Sequence, residues 1–185
     1  MSKFEADAVW AMGKLISDFG FSVEDAAAVM GNAGHESGGL LLMQEIKPTV
    51  AGSRGGFGWF QWTGPRRRLF EAYCERNKLD PISREANYAY LFVELKGSEK
   101  AAVAKTKAAV GLQAKTKAFE MAFERAGVKH YPSRYKWAEK ALAAYRSRKP
   151  TEVVEAVPEV KAPEVPAGSE NWLVALLKAL RRLLG

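Results

Sequence analysis

Apolar residues recur at helical spacing from the start of the chain. Phe4, Val9, Met12, Leu15, Ile16 and Phe19 form one stripe, and Gly20 closes it. Ser22, three residues before Asp25, reads as a capping box that opens a second helix over Val23 to Ser37. Gly38 and Gly39 stop that helix. Pro65 suits the first position of a third, "PRRRLFEAYCERNKL", and Ser83 caps a fourth, "REANYAYLFVELK", closed by Gly97. Further helices are expected at about 98–110, 113–126 and 133–148, separated by Gly111, Gly127 and Tyr131-Pro132. Residues 40–64 break the period: Pro48, five glycines and the run "GGFGWFQWTG" indicate a loop with short strands. The pattern predicts a mainly α domain with one small irregular or β lobe.

After Lys149 the pattern ends. "PTEVVEAVPEVKAPEVPAGS" is rich in proline, glutamate and valine and reads as an extended linker. Three parts follow: a helical domain at 1–149, the linker at 150–169 and a tail at 170–185. Wound as a helix, the tail "ENWLVALLKALRRLLG" places Trp172, Leu173, Leu176, Leu177, Leu180, Leu183 and Leu184 on one arc. Lys178, Arg181 and Arg182 lie opposite. Spanning takes about 20 apolar residues, so this segment is too short to cross a bilayer, but it suits one lying in an anionic membrane surface. Its leucines could instead dock back on the domain or pair with another copy.

Charge adds a partner class. The chain carries +7, and the linker is net acidic, so the surplus sits in the body. A basic body favours nucleic acid, an anionic membrane or an envelope polymer, and it also simply solubilises. The N-terminus, charged at Lys3, Glu5, Asp7 and Lys14, lacks the apolar run of a secretory signal, which predicts synthesis in the cytoplasm. The single cysteine, Cys74, falls in a helical pattern and reads as a packed small hydrophobe.

The candidate chemistry starts at "GNAGHESGGL", residues 31–40. Val29, Ala33 and Glu36 share a helical stripe, so Glu36 turns towards the apolar side in the last turn, where unpaired carbonyls oppose its charge. Both effects favour a retained proton, which a general acid needs. The plain alternative is a helix-end glutamate bending into water. Gly39 stands where H-E-x-x-H needs its second histidine, and no G-x-S-x-G is present. With two histidines and one cysteine, neither a metal site nor a cofactor is expected. His35 reads as a supporting residue. In the aromatic lobe, alternation puts Phe57, Trp59 and Gln61 on one face and Phe60 and Trp62 on the other. Flat rings beside an amide suit the apolar faces and hydroxyl rim of a sugar. The expectation is Phe60 and Trp62 in the core, with Trp59 and Gln61 facing a groove. Arg66, Arg67 and Arg68 oppose the dipole of their helix, a placement that meeting an anion would explain.

The segments "GNAGHESGG", "GGFGWFQWTGPRRRLFEAY", "NYAYLFVEL" and "AFEMAFERAGVKHYPSRYKWAEKALAAY" together resemble the phage tail lysozyme family over roughly residues 3–148. That resemblance implies a lysozyme-like helical fold and a muramidase that cleaves peptidoglycan, with Glu36 as the acid. It also implies a glycan groove lined by Phe60, Gln61 and Trp62; the reading of the residues themselves adds Phe57, Trp59 and Arg66 as candidate binding residues. Goose-type lysozymes and lytic transglycosylases share the E-S and G-x-x-Q logic. The long stretch "LLLMQEIKPTVAGS" after the acid departs from the pattern, which leaves the second group open between Glu45 and Thr49 or Ser53. Glu124, in "AFERAG", matches a family motif and reads as structural, paired with an arginine. The expected protein is a monomeric phage endolysin, made in the host cytoplasm and acting on the wall in the periplasm. Its partners are peptidoglycan and, through Trp172, Leu176, Lys178, Leu180, Arg181 and Arg182, an anionic membrane or lipopolysaccharide; nucleic acid is not one. A lytic transglycosylase, or a virion or membrane-disrupting protein acting through its tail, are the alternatives.

Overall fold

Local signals in the sequence mark where the first two helices begin. In the computed structural model, Ser2 and Glu5 exchange hydrogen bonds at the start of α1 (Lys3–Phe19), and Ser22 and Asp25 do so at the start of α2 (Val23–Glu36). Each capping box satisfies two amide donors that the first turn would leave bare. The structure describes residues 1–48 and 52–148. Thr49, the linker and the tail residues Trp172, Leu176, Lys178, Leu180, Arg181 and Arg182 lie outside the described residues.

The remaining helices are α3 (Gly64–Asn77), α4 (Arg84–Lys96), α5 (Lys100–Ala108), α6 (Leu112–Phe119) and α7 (Tyr131–Ser147). One difference from the sequence reading matters. The helix expected over 113–126 ends its α-helical course at Phe119, and Glu120–Glu124 form a π-helical turn that Arg125 closes with a left-handed φ of 53°. A π turn widens the spacing by one residue, which here buries Glu120, Phe123 and the Oε1 atom of Glu124 together. The lobe between α2 and α3 holds two isolated bridges, Gln44 to Phe57 and Phe57 to Trp62, with no longer strand among the described residues.

Helix α2 is the centre of the domain and packs against α1, α6 and α7. Its glycines explain how closely α7 approaches. A β-carbon on Gly31 would lie 2.5 Å from Ala138 Cβ, and one on Gly34 would lie 2.7 Å from the Phe4 ring and 2.9 Å from Trp137 Cγ. Glycine weakens a helix by about 1 kcal/mol relative to alanine, and a close contact offsets that deficit. Gly39, at φ 78°, has the same relation to Trp137, with 2.5 Å to Cη2. The "GNAGHESGG" segment is therefore shaped first by its fit to α7. Phe60, Trp62, Phe70, Tyr90, Phe119 and Phe123 continue the core in a chain of ring contacts at 4.6–6.1 Å. Cys74 is buried in it, and burial pushes its thiol up to about 11, as expected of a packed hydrophobe. No helix among the described residues is long and apolar enough to cross a membrane.

Candidate active site

Glu36 is the last residue of α2, and its side chain is about one-fifth exposed. The following segment is folded back onto the helix end. Ser37 Oγ donates to Ala33 O at 2.7 Å, and Leu40 N–H donates to Ser37 Oγ at 3.2 Å. These bonds hold the chain in a tight turn and leave the glutamate at its rim.

Glu36 does not sit in an apolar setting. Arg134 of α7 donates through Nη2 to Glu36 Oε1 at 2.6 Å. The same guanidinium donates through Nη1 to Asn32 Oδ1 at 2.9 Å and through Nε to Lys129 O at 3.0 Å, and it is almost wholly buried. Asn32 is itself fixed, its amide donating to Ala28 O and Thr116 O. Each of the three Arg134 nitrogens makes one of these bonds, so its planar fork positions the carboxylate. A single sequence offers no signal for a partner 98 residues away. His35, beside Glu36, hydrogen-bonds Ser133 Oγ at 2.9 Å and lies 5.6 Å from the His130 ring. Burial first, then the Arg134 and His130 charges, lower its imidazole to about 4, so it is neutral at pH 7. It supports α7 against α2.

Beyond Arg134 lies a second cation. Arg66 of α3 donates through Nε and Nη2 to both oxygens of Glu94, each at 2.8 Å, and its guanidinium lies 4.6 Å from the Phe123 ring centre. Glu94 also accepts Trp62 Nε1 at 2.8 Å. The expectation that Arg66 meets an anion holds, but the anion is internal, and the side chain is committed to the fold. Arg67 likewise turns inward to Glu71 and the carbonyls of Arg54 and Gly55, while Arg68 is exposed.

Glu124 is where the sequence reading falls short. Its Oε1 is buried without a hydrogen-bond partner, and no salt bridge joins it to the arginine expected for it. Its carboxyl is raised well above the usual carboxylate range, by burial first and then by the negative charge of Glu36. Arg66 and Arg134 pull the other way and are outweighed.

The lobe needs one firm correction. Trp59 is fully buried, with its backbone N–H on Asn87 Oδ1 at 2.8 Å, so it belongs to the core with Phe60 and Trp62. Strict alternation fails because the residues between the bridges turn, with Gly58 at φ 80° and Gln61 at φ 46°. Gln61 spends its amide on Leu42 O and Gly58 O, both at 2.9 Å, and so ties the lobe to the segment that follows Glu36. Phe57 is half-buried against Phe70 and the Arg67 guanidinium. Glu45 is half-buried; its Oε2 accepts Gly56 N–H at 2.8 Å, and no bond joins it to Glu36. Ser53 Oγ accepts Gly55 N–H at 3.0 Å.

The family model described as phage tail lysozyme matches residues 6–145, a span that contains every helix core and all of this cluster. The chain belongs to the phage tail lysozyme family. No curated protein matches it. As a phage lysozyme it is a peptidoglycan-degrading enzyme, with bacterial peptidoglycan as its substrate. The segments on which the resemblance rests are those that build the Glu36 environment: α2 supplies Glu36 and Asn32, α3 supplies Arg66, α4 supplies Glu94, and the π turn and α7 supply Glu124 and Arg134.

Proposed function

We propose that this phage lysozyme is a muramidase, hydrolysing the β-1,4 bond from N-acetylmuramic acid to N-acetylglucosamine, with Glu36 protonating the bridging oxygen. The observation that carries the reading is a carboxyl about one-fifth exposed at a helix end, oriented by a buried arginine that its other bonds hold in place. A group that transfers a proton must be reachable from outside and fixed from inside, and Glu36 is both. The second carboxyl is Glu45, anchored by Gly56 on the facing lobe, where it stabilises developing positive charge on the sugar or orders the attacking water. Phe57 and Gln61, the partly exposed members of the aromatic run, border the sugar path.

The bond and the outcome are tested together by mass spectrometry of purified sacculi after digestion. A muramidase leaves N-acetylmuramic acid at new reducing ends. Anhydro-muramic ends would reassign the enzyme as a lytic transglycosylase, and free peptides or glucosamine ends would overturn the glycan bond chosen.

In this reading the protein serves as an endolysin, made in the host cytoplasm and acting in the periplasm. The tail, whose sequence wound as a helix would set Trp172, Leu176 and Leu180 on one arc and Lys178, Arg181 and Arg182 opposite, serves to bind an anionic membrane or lipopolysaccharide. Removing residues 170–185 is expected to cut killing of intact Gram-negative cells roughly tenfold or more, with sacculus clearing unchanged. Equal killing by the truncated protein would remove the tail from the account.

A further inference from the structure

The charges around Glu36 do not balance unless one of them is neutral. Two guanidiniums, Arg66 and Arg134, meet three carboxyls, Glu36, Glu94 and Glu124. Arg66 and Glu94 cancel in a bidentate pair. Arg134 is bonded to Glu36 and turns its other donors to Asn32 and Lys129, so Glu124 has no cation of its own. The surrounding groups do not change the count. Arg125, beside Glu124 on the π turn, is more than half exposed and pairs with Glu99. His35 of α2 is neutral. Ion pairs satisfy the cluster from α2, α3, α4 and α7, and the Oε1 of Glu124 remains buried and unbonded.

We propose that Glu36 and Glu124 share a single proton in the resting enzyme, stored on Glu124, and that Glu124 thereby sets the pH range over which Glu36 acts as an acid. Glu124 is a positioning residue in this scheme, acting through Glu36. A carboxylate oxygen buried without a partner is strongly disfavoured, so the unpaired member of the two keeps the proton. Two coupled carboxyls then lose their protons in separate steps that belong to the pair, and the singly protonated state spans a wide pH range. Within that state, a sugar covering Glu36 draws the proton to it, because the sugar expels water from the exposed side of that carboxylate. No atom is gained or lost: the proton leaves one carboxyl, the other receives it, and the negative charge moves the opposite way. The raised protonation range of Glu124 agrees with this count. The catalytic part of the inference rests on the muramidase reading; the stored proton does not.

The test uses the full chain and the Glu124→Gln variant, which replaces a neutral acid by a neutral amide of the same shape. Carbon-13 NMR of the glutamate carboxyls, with Glu124 assigned by its loss in the variant, should show it protonated at pH 7. A resonance titrating in the ordinary carboxylate range, near pH 4, would overturn the proposal. Thermal melts supply the second readout. A carboxyl protonated in the fold but ionised when unfolded loses stability as pH rises between its unfolded and folded midpoints. The variant lacks that loss, so its Tm should gain roughly 5–10 °C on wild type between pH 5 and pH 8. A variant that falls further below wild type as pH rises would show Glu124 to be a charged counter-ion and sink the idea. On sacculi, the alkaline limb of the variant's pH profile should move about one unit towards acid, with activity recovered near pH 5. An unshifted profile would show that the stored proton plays no part in the reaction. Inactive wild-type enzyme on sacculi would instead break the muramidase reading, with the NMR and melting results still standing.

Discussion

Glu36→Gln should all but abolish wall clearing, lowering turbidity loss on purified sacculi by at least about a hundredfold, because general acid catalysis alone contributes roughly 10²–10⁴. The amide keeps the shape and can still accept from Arg134, so the fold survives. Its cost is confined to the charge: buried Arg134 keeps its bonds to Asn32 and Lys129 but loses its counter-ion, about 1–3 kcal/mol. Circular dichroism should show the same helix content, with Tm lowered by no more than about 10 °C. The comparison separates chemistry from membrane damage. A protein that kills through its tail would lose nothing in killing assays on whole cells with Gln at position 36, and sacculi would be untouched by both forms. Clearing within tenfold of wild type would show that another residue supplies the proton, and Glu124 would be the next to replace.

How much of this was legible without coordinates depends on the range of the interaction. Both capping boxes, the stops at Gly20 and Gly97 and the burial of Cys74 follow from signals within a few residues, and the sequence carries them in full. The role of "GNAGHESGG" was half legible. Its periodicity places Glu36 on the inner side of α2, but the reason for Gly31, Gly34 and Gly39 is the surface of α7, about a hundred residues on. Trp59 was misplaced because alternation assumes extended backbone, and a left-handed Gly58 and Gln61 rotate the run. Arg134 was out of reach, and Glu124 was marked only by its motif and given an arginine partner that it lacks, for the same reason. Their meaning lies in what they face across α2, and an arginine or glutamate in an amphipathic helix looks like a solvated surface residue until the opposing helix is placed. A hint was present in "FERAG": a glutamate next to Phe123 and three residues before Gly127, at the mouth of a loop. The π turn that buries it leaves no mark in residue type.

Arg134→Ala is expected to be the most destabilising single change in the site, by about 3–5 kcal/mol, because it removes one partner of a buried ion pair and leaves the other. For a domain of this size that lowers Tm by roughly 8–15 °C. Three groups lose their donor at once: Glu36 Oε1, Asn32 Oδ1 and Lys129 O. The loss is not confined to stability. Lys129 and Tyr131 are also tied to Glu120, which is fully buried and accepts from Ala126 N–H, Lys129 Nζ and Tyr131 Oη, so the loop between the π turn and α7 hangs from two anchors. Removing one should raise its mobility and loosen Glu36. Arg134→Lys separates the two effects. The ammonium keeps the charge but cannot serve three diverging acceptors as the guanidinium does, so the fold should hold with about 2 kcal/mol lost. Assayed well below its Tm, this variant should still show kcat reduced by roughly tenfold or more, since a carboxyl displaced by a fraction of an ångström misses the bridging oxygen. A lysine variant with wild-type kcat would mean that charge near Glu36 suffices and the three-way geometry does not matter. An alanine variant that melts with the wild type would show that the buried pair holds nothing in place.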